Sequence, residues 1–195
     1  MSLPASASVT CQRFLDLLEL WNQTHALTAL PKETRFEELI LDSWALVPYL
    51  ANLPAGSRVV DFGSGMGIPA VVLAIARPDL EIIALDKSRK KMAFVRQAAM
   101  ELKLEALRPI AARMEDLSVL EASLGVAKAV GSPQLLAAWW GRHGRPGAPL
   151  LALKSQSWAQ EACPDNEQWT LLAHPYSLPT RGDRIILEIR TRSSP

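Results

Sequence analysis

The spacing of apolar positions changes along the chain, and each change assigns an element. Phe14, Leu15, Leu17, Leu18 and Trp21 recur at helical spacing over residues 9–22, with Thr10 as a candidate N-cap. A second helical pattern runs over 35–50 through Phe36, Leu39, Ile40, Trp44 and Leu46, after a connection at 23–34 that holds Pro31. The turn signal Asn52-Leu-Pro-Ala-Gly-Ser57 then opens a different regime, in which short apolar runs alternate with helical ones. Strands are predicted at 58–62, 81–86, 107–113, 125–131 and 148–154, with helices over about 68–76, 88–104 behind the N-cap Ser88, and 133–140. Two further strands near 169–176 and 184–191 are expected to form an antiparallel pair at one edge. This alternation means an α/β fold with a mostly parallel sheet of seven strands and right-handed crossovers. Residues 1–52 are expected to form a helical cap on the sheet domain 53–195, the two making one compact unit.

One stretch carries candidate chemistry. Arg58-Val-Val-Asp-Phe-Gly-Ser-Gly-Met-Gly-Ile-Pro-Ala70 reads as a buried strand running into a glycine turn and then a helix. Asp86 closes the next strand, 23 positions beyond Gly63. In open parallel sheets a carboxylate there reaches the hydroxyls of a ribose whose other end lies over the turn. The glycines are spaced G-x-G-x-G, with only a loose match through Ala70 to the dinucleotide pattern. Asp61, just before the turn, would repel a pyrophosphate and suits a ligand bearing an ammonium and a sulfonium, such as S-adenosylmethionine. The expected cofactor cradle is Asp61, Gly63, Ser64, Gly65, Gly67 and Asp86.

Composition narrows the function classes. The chain has 195 residues, 49% hydrophobic and 21% charged, enough for one well-buried core. Its net charge of +1 gives no global argument for a polyanionic partner, so nucleic-acid contact must come from a local patch. Candidates at strand ends and turns are Lys128, Lys154, Arg142, Arg145, Arg181 and Arg184, and the turn 141–147 adds His143. The helix over 88–104 is expected to expose Arg89, Lys90, Lys91, Arg96 and Lys103, and Asp42 is expected to be a buried acceptor that orients the cap. Cys11 and Cys163 are expected as reduced thiols, and the three histidines show no metal-ligand spacing. No secretory signal opens the chain and the longest apolar run, Met66 to Ala76, is too short to span a bilayer, so a cytoplasmic protein is expected.

Several motifs together carry a resemblance. Trp21-Asn22, Leu27-Thr28, Ile40-Leu-Asp-Ser43 and Pro48-Tyr-Leu50 lie in the cap; Asp61-Phe-Gly-Ser-Gly-Met-Gly-Ile-Pro69, Leu85-Asp86, Lys91-Met-Ala-Phe94 and Arg113-Met-Glu115 lie in the core. With them the chain resembles the bacterial ribosomal RNA small subunit methyltransferase G family, also called glucose-inhibited division protein B, over roughly residues 21–190. The resemblance implies a class I S-adenosylmethionine-dependent methyltransferase with a Rossmann-like sheet, acting on N7 of a guanine in 16S rRNA. The implied partner is 16S rRNA, the small ribosomal subunit or its assembly intermediate, met by a monomer. The implied cofactor contacts are Gly63, Ile68, Met114, Glu115 and Lys128, with Asp86 on the ribose; Lys128 and Lys154 fall where residues nearest the chemistry are expected. The chain departs from the family pattern at Leu39, at Lys128 within Ala127-Lys-Ala129, and at Ser155 after Lys154. Guanine N7 carries a lone pair and no proton, so the implied reaction needs alignment rather than a general base. Three other readings stay open: a same-fold methyltransferase acting on another RNA or a small molecule, a cofactor-binding ribosome-associated protein without turnover, and a nicotinamide-dependent dehydrogenase.

Overall fold

The computed structural model describes residues 3–155, 158 and 168–191; Cys163 lies outside them. The strands are β1 (Arg58–Phe62), β2 (Glu81–Asp86), β3 (Leu107–Ala111), β4 (Leu124–Lys128), β5 (Pro149–Ser155), β6 (Trp169–Leu178) and β7 (Gly182–Thr191). They form one sheet in the order β3-β2-β1-β4-β5-β7-β6. The first five are parallel, while β7 pairs antiparallel with both β5 and β6, as the tail pattern predicts.

Successive strand residues point to opposite faces, and each face has its own core. Val59, Ile82, Ala84, Val126 and Leu151 pack with α1 (Ala5–His25), the cap, α4 (Ala70–Ala76) and α5 (Arg89–Glu101). Val60, Phe62, Ile83, Leu85 and Leu150 pack on the other side, where α6 (Pro133–His143) supplies Leu136, Ala137 and Trp140. The cap does not have a core of its own. Cys11, Phe14, Leu18, Leu39, Ile40 and Leu46 belong to the same buried cluster as Val71, Leu73, Phe94 and Val95. Phe94 also meets Phe14 and Trp21 at ring separations of 5.8 and 5.6 Å. Burial pushes the Cys11 thiol up to about 11, which leaves it an inert core group.

The cap differs from its expected outline in two ways. First, α1 starts at Ala5, just after Pro4, so Thr10 lies inside it and donates to the Ser6 carbonyl at 3.1 Å instead of capping. At its other end Ala26 is left-handed (φ 46°), and Asn22 exchanges two hydrogen bonds with the Thr28 backbone, which closes the connection. Second, the helix expected over 35–50 is a composite: α2 (Lys32–Arg35), a π-helical segment Phe36–Leu41, α3 (Asp42–Trp44) and a 3-10 turn Val47–Leu50. The widened turn is closed by the Asp42 amide donating to the Glu37 carbonyl. Elsewhere β1 and β2 match their expected bounds, β3 ends two residues early and β4 three, and α6 continues to His143.

Candidate active site

The strand order reverses between β1 and β4, and ligands of such sheets bind beyond the carboxyl ends of the strands at that point. Two cavities lie there. Register accounts for the first: Phe62 pairs with Leu85, so the next residues, Gly63 and Asp86, stand side by side. Gly63 is left-handed (φ 70°), and a Cβ on it would sit 2.7 Å from Val130 Cγ2. Gly65 is also left-handed (φ 58°), but a Cβ there would meet nothing nearer than Lys91 Nζ at 3.9 Å. The turn thus keeps an open cradle above Gly65. Asp86 is held rigidly below it, with Oδ2 accepting from the Gly65 amide at 2.9 Å and Oδ1 from the Ser88 amide at 2.8 Å.

This cavity has a volume of about 360 Å³. Leu85, Ala112 and Met114 give it an apolar wall, Asp86 and Glu115 are its carboxylates, and Lys87, Lys91 and Arg113 its cations. Glu115 Oε1 accepts from the Trp139 indole N–H at 3.0 Å, and the Trp139 ring stacks on Phe62 at 6.3 Å. Its own backbone amide and the indole hold the Glu115 carboxyl below the usual range. An apolar slot between two ordered carboxylates, above an open glycine turn, fits an adenosine with its ribose on Asp86.

Other expected cradle residues lie beneath the turn. Asp61, Ser64, Gly67 and Ile68 are buried and do not line the cavity. Asp61 Oδ2 accepts from Ser64 Oγ at 2.5 Å and from the Ala70 amide at 3.1 Å, so this carboxylate ties the turn to the start of α4. Oδ1 is buried with no partner among the described residues, and burial raises the carboxyl to about 7. The expectation of a charged group facing a cationic ligand overlooked that β1 is buried on both faces up to its last residue. Gly67 is left-handed (φ 93°) and faces Val71 and Val95 closely, so it serves packing.

The second cavity, of about 700 Å³, opens beside the first and shares Ala129 and Val130 with it. Ala129 holds a left-handed φ of 53°, which costs about 1 kcal/mol for a residue with a Cβ. Lys128, Lys154, Glu38, Asp42 and Arg184 line the remaining wall. Lys128 faces the cap rather than the first cavity: its Nζ pairs with Asp42 Oδ2 at 2.5 Å and donates to the Glu38 carbonyl. Asp42 also accepts from the Tyr176 hydroxyl at 2.6 Å, so it is the buried acceptor expected from its place on the cap. Lys154 Nζ donates to the Gly131 carbonyl at 3.1 Å.

Of the other basic candidates, Arg181 and Arg184 contact Glu38 at 3.1 and 3.7 Å, and Arg142 donates to the Glu115 and Leu117 carbonyls. His143 is not a basic turn residue. It ends α6 fully buried, with one ring nitrogen against the Met114 carbonyl at 3.2 Å, and desolvation lowers its pKa. Trp139 had no role at the sequence level, and Lys91 and Arg113 were named there as an exposed helix residue and as parts of family motifs, not as cavity-lining groups. The adjacent pair Trp139-Trp140 held the signal, because neighbours on a helix face different ways and the core takes only one of them, Trp140.

Taken together, the sheet order, the glycine turn and the ordered Asp86 are those of the class I S-adenosylmethionine-dependent methyltransferase fold. A SAM dependent methyltransferase from Aquifex aeolicus superposes with a TM-score of 0.60 at 13% identity, over 80% of this chain and 92% of that one. The sequence profile of the rRNA small subunit methyltransferase G family matches residues 8–186, and the chain belongs to that family. It is 34% identical over 183 residues to the Ribosomal RNA small subunit methyltransferase G of Azoarcus sp., covering 92% of this chain and 84% of the relative. With the protein of the same name from Chromobacterium violaceum it is 47% identical over 105 residues, 53% of this chain. That match spans about half of the relative, 49% of its length.

Proposed function

We propose that the protein transfers a methyl group from S-adenosylmethionine to N7 of a guanine in 16S rRNA, acting in the cytoplasm on the small ribosomal subunit or an assembly intermediate. The observation that carries this reading is the wall shared by the two cavities. Ala129 and Val130 line both, so a nucleoside slot and a larger pocket of mixed charge open toward each other across two residues. Membership of the rRNA small subunit methyltransferase G family supports the choice of acceptor.

When bound, S-adenosylmethionine supplies a methyl group already activated by its sulfonium. Asp86 would accept from the ribose hydroxyls, Met114 and Leu85 would face the adenine, and the Trp139–Glu115 pair would close that end. On the acceptor side Lys154, which lines the second cavity, would meet the guanine or its phosphate, and Lys128 would position the cap wall through Asp42. N7 needs no deprotonation, so these residues have to align the base and exclude water, and no side chain has to move a proton. The test is incorporation of labelled methyl into 16S rRNA lacking the mark, mapped by strand scission at N7-methylguanine. One labelled guanine per rRNA is the expected result; no label in rRNA or in 30S particles would refute the reading.

A further inference from the structure

In a chain of net charge +1, residues 87–113 hold eight of the 21 Lys and Arg but only two of the 20 Asp and Glu. That excess is concentrated on one surface. Arg89 and Arg96 lie seven residues apart on α5, about two turns or about 10 Å along the axis, and Lys103 continues the line just past the helix end. Arg108 stands beside them on β3, one of the two edge strands. All four are exposed. Arg96, Lys103 and Arg108 line a cavity of about 630 Å³ whose floor includes Ile83 and Ile110, with Met100 at its rim, 69% exposed.

The acids nearby do not neutralise this face. Glu81 and Glu105 line the same cavity, but Glu81 is held by Arg58 and Glu105 makes no ion pair among the described residues, while Glu101 accepts from Gln97. Among the described residues, no carboxylate pairs with Arg89, Arg96, Lys103 or Arg108. The cations expected at turns and strand ends differ, since Lys128, Arg142, Arg181 and Arg184 are held by protein oxygens. At the N-terminal end of α5 the strip reaches the cofactor cavity, whose rim adds Lys87, Lys91 and Arg113.

We propose that this face of α5 and β3 is a dock for the phosphodiester backbone of the rRNA, leading it to the mouth of the cofactor cavity. The inference rests on the methyltransferase reading above for the identity of the polyanion. Unpaired exposed cations are the side chains that gain most from phosphate, because binding releases condensed counterions and breaks no existing ion pair. A protein partner that adds a strand to this edge is disfavoured: Pro109, in the middle of β3, offers no N–H to a pairing strand.

The test compares the wild type with the triple variant Arg96→Gln/Lys103→Gln/Arg108→Gln in equilibrium binding to deproteinised 16S rRNA over a range of salt. Calorimetry with S-adenosylmethionine checks that the variant is folded and its cofactor site intact. The expected result is rRNA binding weakened about tenfold or more, and a plot of log affinity against log salt shallower by about two to three, with cofactor affinity unchanged. Affinity and salt slope equal to the wild type would overturn the dock. Loss of binding to 30S particles with binding to deproteinised rRNA intact would also overturn it, by making this face a site for ribosomal protein. A wild type that needs the strip to bind rRNA yet methylates no guanine would leave the dock standing and refute only the catalytic reading.

Discussion

At the scale of single residues, the turn separates groups that build the site from groups that face the ligand. Gly63 and Gly65 are both left-handed, yet only Gly63 has a neighbour within clash distance. Gly63→Ala should therefore destabilise the fold, by about 2 kcal/mol or more in denaturant titration, through both Val130 and its φ. Gly65→Ala should cost only about 1 kcal/mol while weakening cofactor binding more than tenfold. Asp61 carries a pH signature. Its folded value of about 7 lies above its ordinary 3.8, so the folded state holds the proton more tightly. The stability it contributes is full below about 4 and is lost as pH rises through 7, a loss on the order of a few kcal/mol. Asp61→Asn should flatten that part of a stability–pH profile; an unchanged profile would show that another group titrates there. The place of Asp86 in the cavity wall was legible in the sequence because it closes its strand. Asp61 was not, because a carboxylate's charge says nothing of its burial.

At the scale of elements, the cap is joined to the sheet by one buried polar cluster. Asp42 on α3 accepts from Lys128 at the end of β4 and from Tyr176 on β6, and the π-helical segment brings the Glu38 carbonyl to the same lysine. Removing one partner strands a charge that is nearly buried, with side-chain exposures of 17% for Lys128 and 6% for Asp42. Asp42→Ala should cost about 2–4 kcal/mol, and its double-mutant cycle with Lys128→Ala should show coupling above about 1 kcal/mol; additive effects would contradict the latch. The strands were legible because each is a short apolar run between turn signals. The π segment was not, since a wider turn leaves nearly the same apolar spacing, and the extension of α6 over His143 was hidden by a glycine- and arginine-rich stretch that reads as a turn.

At the scale of the molecule, topology and charge distribution supply what neither residues nor elements show. The parallel order and antiparallel edge follow from the alternation of patterns, but the shared wall of the two cavities depends on β1 and β4 lying side by side, a long-range pairing invisible in local sequence. The segregated cations of α5 and β3 are likewise hidden by a near-zero net charge. Above all, the carboxyl ends of β1 and β2 are proposed to hold S-adenosylmethionine. A calorimetric titration of the purified protein with that cofactor, with NADH as control and repeated on Asp86→Ala and Gly65→Arg, decides whether they do. Binding of S-adenosylmethionine but not NADH, abolished by both substitutions, is the predicted result; binding that survives both, or a preference for NADH, would contradict it.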